Sequence, residues 1–354
     1  MRVFAHHTDV ALRRLVIIGA LVAASAQTSR GQSAADYQRA VNEAYAKFKD
    51  LNEGKNADYI PALAKVDPKL FGIALVTPDG SVYTAGDVGS EVSIQSVSKV
   101  FTMAHVIERQ GEKAILDNMG VDATGQPFNS INAIEQYKGA EQNPLVNPGA
   151  ITTTSMIEGG TADQVWGNIM GTLNAFAGRQ LTVDQEVYES EAATNQRNQA
   201  IAALMFAYGH IKGNWAQATD LYTKQCAVAV NARDLAIMAA TLANGGRNPV
   251  TGVQAVSPEH VPSVLAVMAT AGLYDDSGKW LYAAGLPAKS GVGGGLIAVS
   301  PGKFGIAVIS PPLDAAGNSV RGQKAIQEIS AALGGNPYLA QRAPLGQVVR
   351  VRKQ

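Results

Sequence analysis

Ser96-Val97-Ser98-Lys99 opens an apolar helical run, Val100-Phe101-Thr102-Met103-Ala104, and the spacing of its two ends decides how the chain is read. Three residues is just under one helical turn, so Ser96 and Lys99 share a face and lie within reach of each other. A serine hydroxyl is a poor nucleophile until a base takes its proton, and a lysine amine does that only when neutral. At the reference pKa of about 10.4, roughly one lysine in two thousand is neutral at pH 7. The motif therefore needs a downward shift of roughly three units, about 4 kcal/mol of desolvation or like-charge pressure. Ser-x-x-Lys also occurs on solvated helices, so the rest of the chain has to supply that environment.

The 354 residues carry 29 basic and 29 acidic side chains, with 46% hydrophobic and 16% charged content. That balance predicts a soluble globular protein. No long basic run or aromatic stripe offers a surface for nucleic acid. Cys226 is the single cysteine; it has no disulfide partner and no thiolate companion for a metal, and is expected in the core. His6, His7, His105, His210 and His260 include no pair at ligand spacing within a helix, so no metal centre is expected. Arg13-Arg14, the apolar stretch Leu15 to Ala23 and Ala24-Ser25-Ala26 follow the order of a secretory leader. Residues 1–26 read as a signal peptide cleaved after Ala26, with the product periplasmic or secreted. The apolar run falls short of the roughly 20 residues that span a bilayer, so no stable membrane insertion is expected after processing. Arg13-Arg14 is only a partial match to a twin-arginine signal.

Apolar positions Tyr37, Val41, Ala44, Phe48 and Leu51 recur at helical spacing. Phe71–Thr77 and Ser81–Ala85 flank Pro78-Asp79-Gly80 as a β-hairpin. The middle of the chain is helical: Val165, Ile169, Leu173 and Phe176 form one core stripe, and Ile201, Leu204 and Met205 another. Asn231 reads as the N-cap of a helix through Leu242 that ends at Asn244-Gly245-Gly246. Gly295–Ser300 and Phe304–Ser310 are strands around Pro301-Gly302-Lys303. A last helix, Val320–Leu333, has Ala325, Ile329 and Ala332 on one side. The order predicts an α/β (α+β) domain over residues 27–337, in which an antiparallel sheet from both ends of the chain carries flanking helices and a helical insertion lobe. Residues 338–354 form a peripheral tail.

Where the strands return, Lys289-Ser290-Gly291 precedes Val292-Gly293-Gly294-Gly295. A Lys-Ser/Thr-Gly strand beside a Ser-x-x-Lys helix is the arrangement of serine enzymes of the β-lactamase and penicillin-binding type. Glycines there let another backbone or a substrate approach, and a free strand N–H can serve as an oxyanion donor. Ser-Asp-Asn, the third motif of the penicillin-recognising enzymes, is missing. In its place stand Ala57-Asp58-Tyr59-Ile60-Pro61, Asn143-Pro144-Leu145-Val146-Asn147-Pro148-Gly149, Ser190-Glu191 with Arg197-Asn198, Tyr222-Thr223-Lys224-Gln225-Cys226, Gly272-Leu273-Tyr274-Asp275 and Gly317-Asn318-Ser319-Val320-Arg321-Gly322. With Gly285 to Gly295, these closely resemble the serine-dependent glutaminase family, in order, from about Tyr59 to Leu333.

The resemblance implies hydrolysis of L-glutamine to L-glutamate and ammonia on a β-lactamase-like fold, with no metal or organic cofactor. It matches Ser96 to the nucleophile, Lys99 to its general base, and Tyr274, assisted by Tyr222, to the residue relaying a proton to departing ammonia. Tyr59, Ser96, Asn147, Glu191, Asn198, Tyr222, Tyr274 and Val292 match the substrate pocket, and the backbone amides of Ser96 and Val292 the oxyanion hole. The family commonly forms homodimers or homotetramers. Pro148 departs from the usual pattern and fixes the backbone just after Asn147. Lys289 is the expected source of like-charge pressure on Lys99, and the apolar face of Phe101 and Met103 is expected to help desolvate its surroundings. The chemistry of these residue types suits the substrate, because a pocket that excludes water must pair both the ammonium and the carboxylate of free glutamine. Glu191 suits the ammonium; Asn147, Asn198 and the tyrosine hydroxyls suit the carboxylate. Two other readings remain open at this point: a β-lactam-interacting or peptidase-like serine hydrolase, and an exported amino-acid-binding protein without turnover.

Overall fold

The computed structural model describes residues 32–339. The expected leader and most of the tail lie outside them. Seven strands form: β1 (Gly72–Val76), β2 (Val82–Gly86), β3 (Val92–Ser93), β4 (Ala229–Val230), β5 (Ala288–Ser290), β6 (Gly295–Ser300) and β7 (Phe304–Ile309). Five of them make one antiparallel sheet in the order β2-β1-β7-β6-β5. The sheet thus draws on both ends of the chain, with β7 paired between β1 and β6. β3 and β4 pair separately, Val92 opposite Val230 and Ser93 opposite Ala229.

Period-two alternation sorts the sheet's side chains into two cores. Ile73, Leu75, Leu296, Ala298, Ile306 and Val308 pack with the Ala34–Phe48 and Val320–Ala332 helices and with Trp280. The alternate set, Ala74, Val76, Ile297, Val299, Ala307 and Ile309, packs with the Ala232–Ala243, Ser98–Gln110 and Ala162–Ala177 helices. Both faces of the sheet are covered, which is why β1, β6 and β7 read as unbroken apolar runs. The Ala232–Ala243 helix lies so close that a Cβ on Gly305 would stand 2.0 Å from the Ala240 nitrogen. A third core, including Ile134, Ala150, Ile151, Ile201, Met205 and Tyr222, holds the helical lobe inserted between β3 and β4.

Local signals account for most boundaries. Ser33 and Asp36 form a capping box on the first helix, and Asn231 and Asp234 another on the Ala232–Ala243 helix. The hairpin turn closes with Gly80 at φ +85°, a left-handed conformation that glycine adopts without strain. The expected stripe on the middle helix is buried at Val165, Ile169, Leu173 and Phe176. Two details differ. The first helix stops at Phe48, leaving Leu51 in the following loop. In the last helix Ala332 is exposed, and Ile326 and the C-cap Leu333 fill the core beside Ala325 and Ile329; the buried face is centred on 326, 329 and 333, which leaves position 332 beyond its edge.

Candidate active site

The β3–β4 pair delivers the chain to Ser96. Ile94 donates to the Val228 carbonyl at 2.8 Å, and the backbone then makes one 3-10 turn, Gln95–Val97, into the Ser98–Gln110 helix. Gln95 takes φ +48°, a left-handed conformation that costs a residue with a Cβ on the order of 1 kcal/mol. Its surroundings hold it there. The Ser98 hydroxyl donates to the Gln95 carbonyl at 2.7 Å, Gln225 Nε2 donates to the Ser98 hydroxyl at 3.3 Å, and Thr102 donates to Gln225 Oε1 at 3.2 Å. The glycine-rich segment after β5 completes the cradle. Cβ atoms on Gly291 and Gly293 would stand 2.9 Å from the Ile94 carbonyl oxygen and 2.4 Å from that of Ser93. The close approach expected of those glycines is therefore to the backbone that carries the serine.

Lys99, three residues on from Ser96, is wholly buried. Its amine donates to Asn147 Oδ1 at 2.7 Å and to the Leu145 carbonyl at 3.5 Å, both uncharged acceptors. Burial lowers its pKa to about 8, against weaker opposing influences from Cys226 and Glu191. The environment demanded by Ser-x-x-Lys is thus mainly desolvation. Lys289, the expected source of charge pressure, is itself held well below its usual range by burial and then by Lys99. Its amine donates to the Ser290 carbonyl at 2.6 Å and lies 4.2 Å from the centre of the Tyr274 ring.

Asn147 joins the remaining groups. Its Oδ1 also accepts from the Tyr222 hydroxyl at 3.2 Å, and its Nδ2 donates to Asn198 Oδ1 at 2.9 Å. Pro148 sits in the first turn of the Asn147–Ser155 helix, where its fixed φ fits and its missing N–H costs no helical bond. Glu191 is buried at the end of the Gln185–Ala192 helix, where Gln95 Nε2 donates to it at 3.1 Å. Burial raises its pKa to about 7, against lowering by the Gln95 hydrogen bond and by Lys99. Tyr274, at φ +58°, donates to the Ser290 carbonyl at 3.0 Å, with the Ser96 side chain near enough to oppose the effect of burial on its hydroxyl. Burial lifts both Tyr274 and Tyr222 above the usual phenol range, so both are neutral, proton-bearing hydroxyls at pH 7. Burial likewise raises the Cys226 thiol, in keeping with a core role.

Tyr59, Ser96, Asn147, Glu191, Asn198, Tyr222 and Val292 line one cavity of about 260 Å³. Tyr59 stands at its rim, 53% exposed. Among the described residues, neither the Ser96 nor the Val292 backbone N–H donates to another backbone carbonyl. No cluster of three or more His, Cys, Asp or Glu side chains able to hold a metal occurs among them either. The cavity wall also includes Gln95, Phe128, Asn129 and Arg197, which sequence reasoning did not select. Arg197-Asn198 stood in one of the quoted motifs; Phe128 and Asn129 lie in a stretch without periodicity. The Ser96 hydroxyl, the Tyr222 phenol and the ionisable Glu191 carboxylate therefore share a pocket of amino-acid size; Lys99 is bonded to Asn147 of its wall, and neither Lys99 nor Tyr274 lines it.

A family model described as glutaminase matches residues 54–338. The chain belongs to the glutaminase family. It is 52% identical over 301 residues to the glutaminase of Colwellia psychrerythraea, covering 85% of this chain and 97% of that one. Glutaminase 1 of Escherichia coli K12 is 47% identical over the same shares. Among solved structures, the probable glutaminase YbaS superposes with a TM-score of 0.86 at 46% identity, covering 87% of this chain and 100% of that one. Mglu in its glutamate form gives a TM-score of 0.79 at 36% identity, covering 85% and 69%. The fold is that of the β-lactamase-like glutaminases, and the enzyme is a glutaminase, an amidohydrolase.

Proposed function

We propose that this glutaminase converts L-glutamine to L-glutamate and ammonia through a γ-glutamyl ester on Ser96, with Lys99 as general base. The observation that carries this reading is the bonding of Lys99. A neutral amine has two N–H donors and one lone pair, and the Asn147 and Leu145 oxygens accept two donors. The lone pair remains for the Ser96 proton. With a pKa of about 8, roughly a tenth of Lys99 is neutral at pH 7, some hundreds of times more than for a solvated lysine.

In this scheme Ser96 Oγ attacks the side-chain amide carbon as its proton passes to Lys99. The developing oxyanion takes the backbone N–H groups of Ser96 and Val292, each such donor being worth about 3 kcal/mol. Collapse breaks the C–N bond, and the nitrogen leaves as ammonia with a proton handed on by Tyr274, whose hydroxyl lies near Ser96. Water, deprotonated by the same groups, then hydrolyses the ester and restores the serine. Glu191 pairs with the substrate ammonium, and Asn147, Asn198, Tyr59 and Tyr222 receive the carboxylate. A relative solved in its glutamate form supports glutamate as the product bound by this pocket. Ser96→Ala should release no ammonia above background while calorimetry still registers glutamine binding. Full activity in that variant would overturn the mechanism.

The leader supports a further reading, that the enzyme is exported and acts on external glutamine. N-terminal sequencing of the mature protein from a periplasmic extract should begin at Gln27, and an intact leader on cytoplasmic enzyme would refute it. Family resemblance supports a homodimer or homotetramer, which light scattering of the purified protein tests.

A further inference from the structure

The cavity carries a cation that the amide chemistry does not use. Arg197, in the first turn of the Gln196–Ala207 helix, lines the same pocket as Glu191, which ends the preceding helix. Its Nε donates to the Asn129 carbonyl at 3.0 Å. That bond braces the side chain against Asn129, which also lines the cavity, and occupies one of five guanidinium donors. Among the described residues no carboxylate pairs with it, whereas Arg39, Arg109 and Arg179 each hold one. An arginine held by its Nε and free at its two terminal nitrogens presents the planar fork that suits a carboxylate.

With its side-chain amide over Ser96 and its ammonium against Glu191, free glutamine sets its α-carboxylate among Asn147, Asn198, Tyr59 and Tyr222, neutral groups that leave its charge without a counter-ion. Asn147 and Asn198 are hydrogen bonded to each other, and Arg197 is the chain neighbour of Asn198 on the same wall. Glu191 and Arg197 together give the pocket one negative and one positive pole, the pattern of a zwitterionic amino acid. We propose that Arg197 is a specificity-determining residue, its guanidinium selecting substrates with a free α-carboxylate over glutamine whose carboxyl group is blocked as an amide or peptide. The proposal rests on the reading of this cavity as the glutamine site.

The test compares ammonia release from glutamine and from glutaminamide, whose α-carboxylate is replaced by a neutral amide. The wild type, Arg197→Gln and Arg197→Lys are each assayed at low and at physiological ionic strength. Arg197 is exposed, so the pair it makes is screened. Arg197→Gln should lower kcat/KM for glutamine about three- to fivefold through KM, with the value for glutaminamide unchanged. Added salt should shrink the preference in the wild type and not in Arg197→Gln. Arg197→Lys, which keeps the charge and loses the brace to Asn129, should retain most of the preference. If Arg197 only supported the wall, both variants would lose activity on both substrates in equal measure, and that result overturns the proposal. So does an unchanged ratio in Arg197→Gln. A wild type that released no ammonia from glutamine would overturn the functional reading itself, and the proposal with it.

Discussion

Lys99→Met should make the protein more stable at neutral pH while abolishing catalysis. The folded state lowers the Lys99 pKa from 10.5 to about 8. Each unit corresponds to about 1.4 kcal/mol, so a charged Lys99 costs the fold about 3 kcal/mol at pH 7. Methionine has similar length and no charge. It forfeits the hydrogen bonds to Asn147 and Leu145, about 1 kcal/mol, and relieves the pressure that Lys99 puts on Lys289. The net expectation is a gain of about 2 kcal/mol at pH 7. Because the folded-state pKa is depressed, the folded protein binds fewer protons than the unfolded chain between pH 8 and 10.5. Wild-type stability therefore rises relative to the variant across that window, and the gain should shrink to near zero by about pH 10. Urea unfolding of both proteins at pH 7 and pH 10 reads this directly. A variant less stable than wild type by the same amount at both pH values would refute desolvation as the source of the base.

Three further outcomes follow from particular contacts. Glu191→Gln removes the charge proposed to pair with the substrate ammonium and should raise KM for glutamine about 10- to 100-fold; in the wild type KM should rise as pH falls through about 7, where Glu191 takes up its proton, and the variant should lack that limb. Gly305→Ala forces a methyl to within 2.0 Å of the Ala240 nitrogen and should cost about 3 kcal/mol or more, read by chemical denaturation. Arg321→Met should also destabilise the fold, by about 2–4 kcal/mol, because the buried guanidinium serves the Pro68, Lys69, Leu70 and Lys49 carbonyls and the Ser310 hydroxyl, none of which gains a new partner.

The elements visible in the sequence were those whose determinants are local. Asn231 caps its helix through Asp234 three residues on, and the Pro78-Asp79-Gly80 turn joins two short strands that pair directly across it. β3 and β4 are two residues each, too short for any period, and form only because Val92 and Val230 meet across more than a hundred residues of helical lobe. The site divides in the same way. Ser96 and Lys99 were readable as one helix face, and the pocket residues through family resemblance. The left-handed Gln95, the Gln225–Ser98 clamp behind it and the Arg197–Asn129 brace depend on pairings that no spacing reveals. The origin of the Lys99 shift was legible in part. The apolar Phe101 and Met103 pointed to desolvation and a second lysine to charge pressure; the structure shows an amine sunk among neutral acceptors, with Lys289 occupied by the Ser290 carbonyl.

The covalent step is the centre of this account, and rapid acid quenching during turnover of isotopically labelled glutamine tests it most directly. Peptide mass spectrometry of the quenched wild type should find a glutamyl ester on Ser96, and Ser96→Ala should carry no label and release no ammonia. Label on any other residue, or undiminished ammonia release by Ser96→Ala, would contradict it.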